Sequence, residues 1–121
     1  MTITFDASAV IDKLTNMKKD ISDNTNIALQ ESGMLLQEEI QASIEGQRAE
    51  PRSVDTGEFL ASISINSFDG MVEVYSDVPQ ALFMEYGTTR IFERRHFRNS
   101  LSRTTPLIID KVKEAVSNSI E

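Results

Sequence analysis

Apolar residues recur at helical spacing in three stretches of the chain and alternate in two others. Val10, Leu14, Met17 and Ile21 are separated by steps of four, three and four, so one apolar stripe runs to Ile21. Asp6 is placed to cap its start. Phe5 precedes the cap and Val10 lies four residues into the helix, the spacing of a hydrophobic staple. A second stripe reads Leu29, Gly33, Leu36, Ile40 and Ile44. Between the two, Ser22-Asp23-Asn24-Thr25-Asn26 is rich in residues that favour caps and turns, so it either breaks the helix or is carried through it by tertiary contacts. Gly33 costs about 1 kcal/mol against Ala in a helix, which predicts a close-packed neighbour there. The third stripe is Leu107/Ile108, Val112, Ala115/Val116 and Ile120. It predicts a C-terminal helix capped by Thr104 or Thr105, with Pro106 in its first turn.

The alternating stretches predict strands. Thr2 to Phe5 reads as a short strand or an extended lead-in. Ile63 and Ile65 precede Asp69-Gly70, and Val72, Val74 and Tyr75 follow it. Asp-Gly between β-rich runs predicts a hairpin, with a type I′ turn that needs positive φ at both turn residues. Phe59 to Ile63 reads as a helical turn or a strand entry. Val78-Pro79 ends the second strand, and Gln80 to Tyr86 predicts a short helix stopped by Gly87. Residues 46–57 read as a long loop, ending in a turn at Gly57, and residues 88–103 as an irregular Arg-rich segment. Both are expected to be interaction loops. The predicted class is α+β: two N-terminal helical segments and a C-terminal helix packed on a small antiparallel sheet with a central hairpin, in one domain over residues 1–121.

Composition narrows the function. The chain has 121 residues, 40% apolar and 26% charged, with no Cys. Without Cys there are no disulfides, no Cys-ligated zinc and no thiol catalysis. No apolar run approaches the ~20 residues of a membrane span, and residues 1–13 show no secretory signal pattern. The formal net charge of −7 argues against a general nucleic-acid coat. The charge is unevenly spread: residues 1–88 balance to −10 and residues 89–121 to +3. Between Asp20 and Asp110 every base is Arg, whose rigid fork suits bidentate pairing with carboxylate or phosphate.

Catalytic chemistry finds little support. His96 has no second His or Cys to share a metal, and reads as a packed or surface side chain. No calcium-loop, nucleophile-elbow or phosphate-loop motif occurs. Glu73, Asp77 and Glu85 form no distinctive acid cluster. No cofactor, no metal and no enzyme activity are expected.

Three segments together resemble the small neck or tail-completion protein of long-tailed bacteriophages and prophages, the tail-component family encoded near the head–tail connector and tail-terminator genes. Asp55-Thr56-Gly57-Glu58-Phe59-Leu60-Ala61-Ser62-Ile63 is similar to the family's D-T-G-x-L-x-x-S-I, read with one residue more between Gly and Leu. Pro79-Gln80-Ala81-Leu82-Phe83-Met84-Glu85-Tyr86-Gly87-Thr88 is similar to P-Y-A-x-x-V-E-[FY]-G-T. His96-Phe97-Arg98-Asn99-Ser100-Leu101 stands where the family tends to show P-F-L-R-P-A-L, without its prolines. The resemblance implies a virion structural protein that forms a ring or completes the tail end at the head–tail joint. Its implied partners are its own copies, the connector, and the tail tube or tail terminator. It implies assembly in the host cytoplasm and residence in the virion, with no membrane. DNA would pass nearby without being specifically bound.

At residue level, Glu85 is expected to accept hydrogen bonds from Arg94, Arg95 or Arg98, within the subunit or across to the next; the alternative is an exposed helix-end carboxylate. Arg48, Arg52 and Asp55 on the long loop, with Arg90, Arg94, Arg95 and Arg98, are candidate interface residues. Thr56, Gly57, Tyr86, Gly87, Thr88 and Phe97 are candidate structural positions, with Phe83, Tyr86 and Phe97 read as core. A competing reading is a nucleic-acid-contacting module that uses Arg90–Arg103, with Tyr86, Phe92 and Phe97 for stacking.

Overall fold

A computed structural model describes residues 1–6 and 19–120. Its elements are β1 (Thr2–Asp6), α1 (Lys19–Ile44), α2 (Glu58–Ala61), β2 (Ser64–Phe68), β3 (Met71–Tyr75), α3 (Pro79–Tyr86) and α4 (His96–Ile120). The class is α+β. The helix expected from Asp6, its staple and the Val10, Leu14, Met17 stripe lie outside the described residues.

The three strands form one antiparallel sheet in the order β1-β3-β2. Ile3 pairs with Val74, and Val74 with Ile65, so these apolar residues share one face. Along β3, Val72 and Val74 are fully buried while Met71, Glu73 and Tyr75 are half-buried. The buried face packs on α1, whose stripe Leu29, Leu36, Ile40 and Ile44 lies in the core together with Phe59, Ile63, Ala81 and Phe97. Gly33 sits where α1 crosses β3. A Cβ built there would lie 2.6 Å from Val72 Cγ2, so the predicted close neighbour is the sheet itself.

α1 runs through Ser22–Asn26 without a break. Two of the polar side chains that favour caps, Asn24 and Asn26, have tertiary partners instead, while the buried Thr25 hydroxyl has none. Asn24 Nδ2 donates to Ser119 Oγ on α4 (2.6 Å). Asn26 clamps the hairpin: its Oδ1 accepts from Gly70 N (2.8 Å) and its Nδ2 donates to Asp69 Oδ1 (2.7 Å). The hairpin forms, but of its two turn residues only Gly70 has positive φ (75°), so the turn is not the expected type I′. The clamp from α1 supplies the restraint that the turn type alone was expected to supply.

α4 also departs from expectation. It starts at His96, not at Thr104 or Thr105, so residues 96–103 are helical and the irregular segment ends at Arg95. Pro106 then lies inside the helix. The bonds Asn24–Ser119 and Ser43–His96 tie opposite ends of α1 and α4 together, so the two helices pack antiparallel along their length. That packing supports a helix which local signals alone would start later.

Candidate interaction site

The sequence elements that carry the motifs meet at the N-terminus of α4. Arg95 precedes the first helical residue, and its carbonyl accepts the first helical bond from Asn99 N (2.9 Å). Its side chain is a pure donor and cannot cap the free backbone N–H groups. Glu85, fully buried on α3, does so from another helix. Its Oε1 accepts from Phe97 N (2.8 Å) and its Oε2 from Arg98 N (2.9 Å). A carboxylate in this position also meets the positive end of the helix dipole.

Arg98 closes the arrangement. Its Nε donates to Glu85 Oε2 (2.9 Å) and its Nη2 to the Glu85 carbonyl (2.5 Å). Its guanidinium lies 4.6 Å above the Tyr86 ring centroid. The Glu85–Arg98 pair is within one subunit. Arg94 meets α3 only through its backbone N–H, which donates to the Met84 carbonyl (2.7 Å), and Arg95 pairs with Glu93 (2.8 Å).

Gly87 ends α3 at φ 76° and donates to the Phe83 carbonyl (2.8 Å). A Cβ there would fall 2.7 Å from Ile91 O and Glu93 N, so the returning loop requires glycine. Thr88 folds that loop: its Oγ1 accepts from the N–H groups of Arg90 and Ile91 (both 3.2 Å).

A second network pins the long loop to α4. His96 is fully buried between Ser43 (Nδ1, 2.7 Å) and Ser53 (Nε2, 2.7 Å). Ser43 Oγ donates to Glu50 Oε1 (2.5 Å), so it must accept from His96, which places the ring proton on Nδ1. Nε2 then accepts from Ser53, whose oxygen accepts in turn from Arg94 Nη1 (2.9 Å). Burial pushes the His96 pKa down to about 4, against the pull of Glu85 and Glu50 and with the help of Arg94 and Arg103. Burial opposes ionisation of Glu50, but hydrogen bonds from Arg103, Ser43 and Asn99 outweigh it and hold its pKa at about 2. Arg103 donates to both Glu50 oxygens (2.9 and 2.6 Å) and to Glu39 (2.7 Å), which also receives Arg48 (2.7 Å). Local sequence carried no signal for Ser43, Glu50 and Ser53, and placed Arg103 only within an Arg-rich segment, because the partners that join them to α4 are distant in the chain.

The remaining candidates divide clearly. Arg52 Nη1 donates to the Val54 carbonyl (3.3 Å), and Asp55 and Arg90 are exposed. Thr56 Oγ1 accepts from Glu58 N (3.3 Å), and Gly57, at φ 85°, leads into α2. Phe59 is buried against His96, with ring centroids 6.1 Å apart, whereas Leu60 is only half-buried. Phe59 therefore fills the Leu position of D-T-G-x-L-x-x-S-I, with Ser62 and Ile63 in step, and the extra residue disappears. Phe97 is core. Phe83 and Tyr86 are not: they are half exposed, as is Leu82. α3 buries Ala81 and Glu85, which turns the opposite face outward. Phe92, on the loop between α3 and α4, is 95% exposed. Among the described residues no group of three or more His, Cys, Asp or Glu could hold a metal ion, and no helix is long and apolar enough to cross a membrane.

The family model described as "Bacteriophage HK97-gp10, putative tail-component" matches residues 8–87. That span contains Asp55-Thr56-Gly57 and Glu85-Tyr86-Gly87 and stops before α4. No curated protein and no solved structure matches the chain.

Proposed function

Since the chain belongs to the bacteriophage HK97-gp10 tail-component family, a family of virion structural proteins, we propose that it works at the head–tail joint as a neck or tail-completion protein. In this reading it self-associates as a ring and docks between the connector and the tail tube or tail terminator. It acts by assembly rather than catalysis, and it enters the virion from the host cytoplasm.

The observation that carries this reading is the outward apolar face of α3, Leu82, Phe83 and Tyr86, with Phe92 exposed on the next loop. Such a patch marks an interaction surface more than a solvated one. The buried clamp behind it, Glu85 on the start of α4 and His96 on the long loop, holds this surface in one shape before any partner arrives. The net charge of −7 suits a DNA passage that must not retain phosphate. The nucleic-acid-contacting alternative needs a row of available arginines. Arg94, Arg98 and Arg103 are instead engaged with Ser53, Glu85 and Glu50.

The test is a phage genome lacking the gene for this chain. Filled heads and separate tails that join when the purified protein is added are expected. Normal infectious particles without it would overturn the reading.

A further inference from the structure

α4 has 25 residues, with the Phe92 loop at its start and a groove near its end. The groove, about 320 Å³, lies between α1 and α4 and is lined by Ile27, Ala28, Glu31, Lys111, Glu114 and Ala115, with Asn24 and Asn118 at one end. At 1.5 Å per residue, positions 111–118 lie roughly 22–33 Å along the helix axis from His96. Phe92 cannot reach this groove in its own chain.

We propose that Phe92 of one copy seats in the α1/α4 groove of the next, a head-to-tail contact that repeats around a ring. The inference rests on the assembly reading above and names the surfaces that would perform it. Three features support a second copy as the occupant. Phe92 is 95% exposed and packs on nothing in its own subunit, as an anchor awaiting a pocket would be. Among its polar lining the groove holds the apolar side chains of Ala28 and Ala115, flanked by Ile27, which is 56% exposed. The charges are complementary. Near Phe92, Arg90 is exposed, while Arg95 pairs with the adjacent Glu93 (2.8 Å), so Arg90 carries the complementary charge. Glu31 and Glu114 stand exposed on the groove rim, where Lys111 faces Glu31 at 3.7 Å. Knob and groove occupy opposite ends of one helix pair, so the contact uses different patches on the two copies. Such a heterologous contact closes into a ring when its rotation allows.

The chain has no cysteine, which makes the test clean. Phe92→Cys protein is mixed with mass-tagged Ala115→Cys protein and oxidised. A disulfide-linked dimer containing one copy of each is expected. By sedimentation velocity, Phe92→Ala should weaken self-association about thirtyfold without moving the unfolding midpoint, the scale of an aromatic hot spot. Arg90→Glu and Glu114→Arg should each weaken it, and the double variant should recover part of the loss. Absence of the mixed disulfide, or oligomers of unchanged affinity after Phe92→Ala, overturns this contact. The virion reading fails by a separate observation, absence of the chain from purified particles. If Phe92→Ala blocks incorporation into particles while self-association is untouched, the knob serves a different virion protein and the second-copy proposal falls.

Discussion

Glu85 and Arg98 sit on different helices, and each completes the other: the carboxylate caps the helix that carries the arginine, and the arginine donates back through Nε at 2.9 Å. Glu85 is fully buried, so its oxygens have no water to replace a lost partner. Removing one member of such a pair typically costs 3–5 kcal/mol. Arg98 is about one-third exposed, which lowers the cost on its side.

Glu85→Ala is therefore expected to destabilise the fold by about 3 kcal/mol, read from urea unfolding midpoints, since two backbone N–H groups and a guanidinium lose their acceptor. Arg98→Ala should cost less. In double-mutant cycles Glu85 should couple to Arg98 and not to Arg94 or Arg95. Equal coupling to all three would contradict the geometry.

Acid should loosen the fold in two stages. His96 titrates near 6.5 when unfolded and at about 4 in the fold, so the unfolded chain binds more protons between these values. Stability from this group is complete above about pH 6.5 and is lost as pH falls toward 4, by up to roughly 3 kcal/mol. Glu50 behaves in the same direction over a lower window, from about 4.5 down to about 2. Unfolding midpoints measured across pH should show the upper stage flattened in His96→Asn.

Gly33→Ala tests two opposed effects. Helix propensity favours Ala by about 1 kcal/mol. Against it, the new methyl would lie 2.6 Å from Val72 Cγ2, and overpacking a core typically costs 1–3 kcal/mol. The expected result is a net loss of stability, smaller in Gly33→Ala/Val72→Ala than the separate effects would sum to.

Pro106→Ala should raise the thermal midpoint. Pro106 is exposed and lies inside α4, where it removes a backbone donor and is disfavoured by about 3 kcal/mol relative to Ala. Part of that cost is already relieved, because Ser102, whose carbonyl loses its helical donor, is exposed to water. A gain of about 1 kcal/mol is expected, and a lowered midpoint would contradict it.

The amino-acid sequence by itself determined the repeating parts of this protein. Periodicity places Leu29, Leu36, Ile40 and Ile44 on one buried face, alternation places Val72 and Val74 on another, and Gly33 marks where the two meet, because a helix or a strand repeats its own geometry from residue to residue. The motifs showed which loops matter, and the short signals of Gly87 and Pro79 bounded α3 correctly. Tertiary structure decided everything that depends on partners far along the chain. α4 starts at His96 because Glu85 arrives from α3 to cap it, where local signals pointed to Thr104. Asn24 and Asn26 stay helical because Ser119 and the hairpin turn take up their side chains. Tyr86 and Phe83 face outward because Ala81 and Glu85 claim the buried side of a helix only eight residues long. Of the arginines that gave residues 89–121 their positive balance, Arg94, Arg98 and Arg103 are engaged within the subunit, on carboxylates and a hydroxyl 5 to 64 residues away, while Arg90 and Arg95 stay exposed. Charge can be counted in a sequence, but only the fold decides which of it is left to meet a partner.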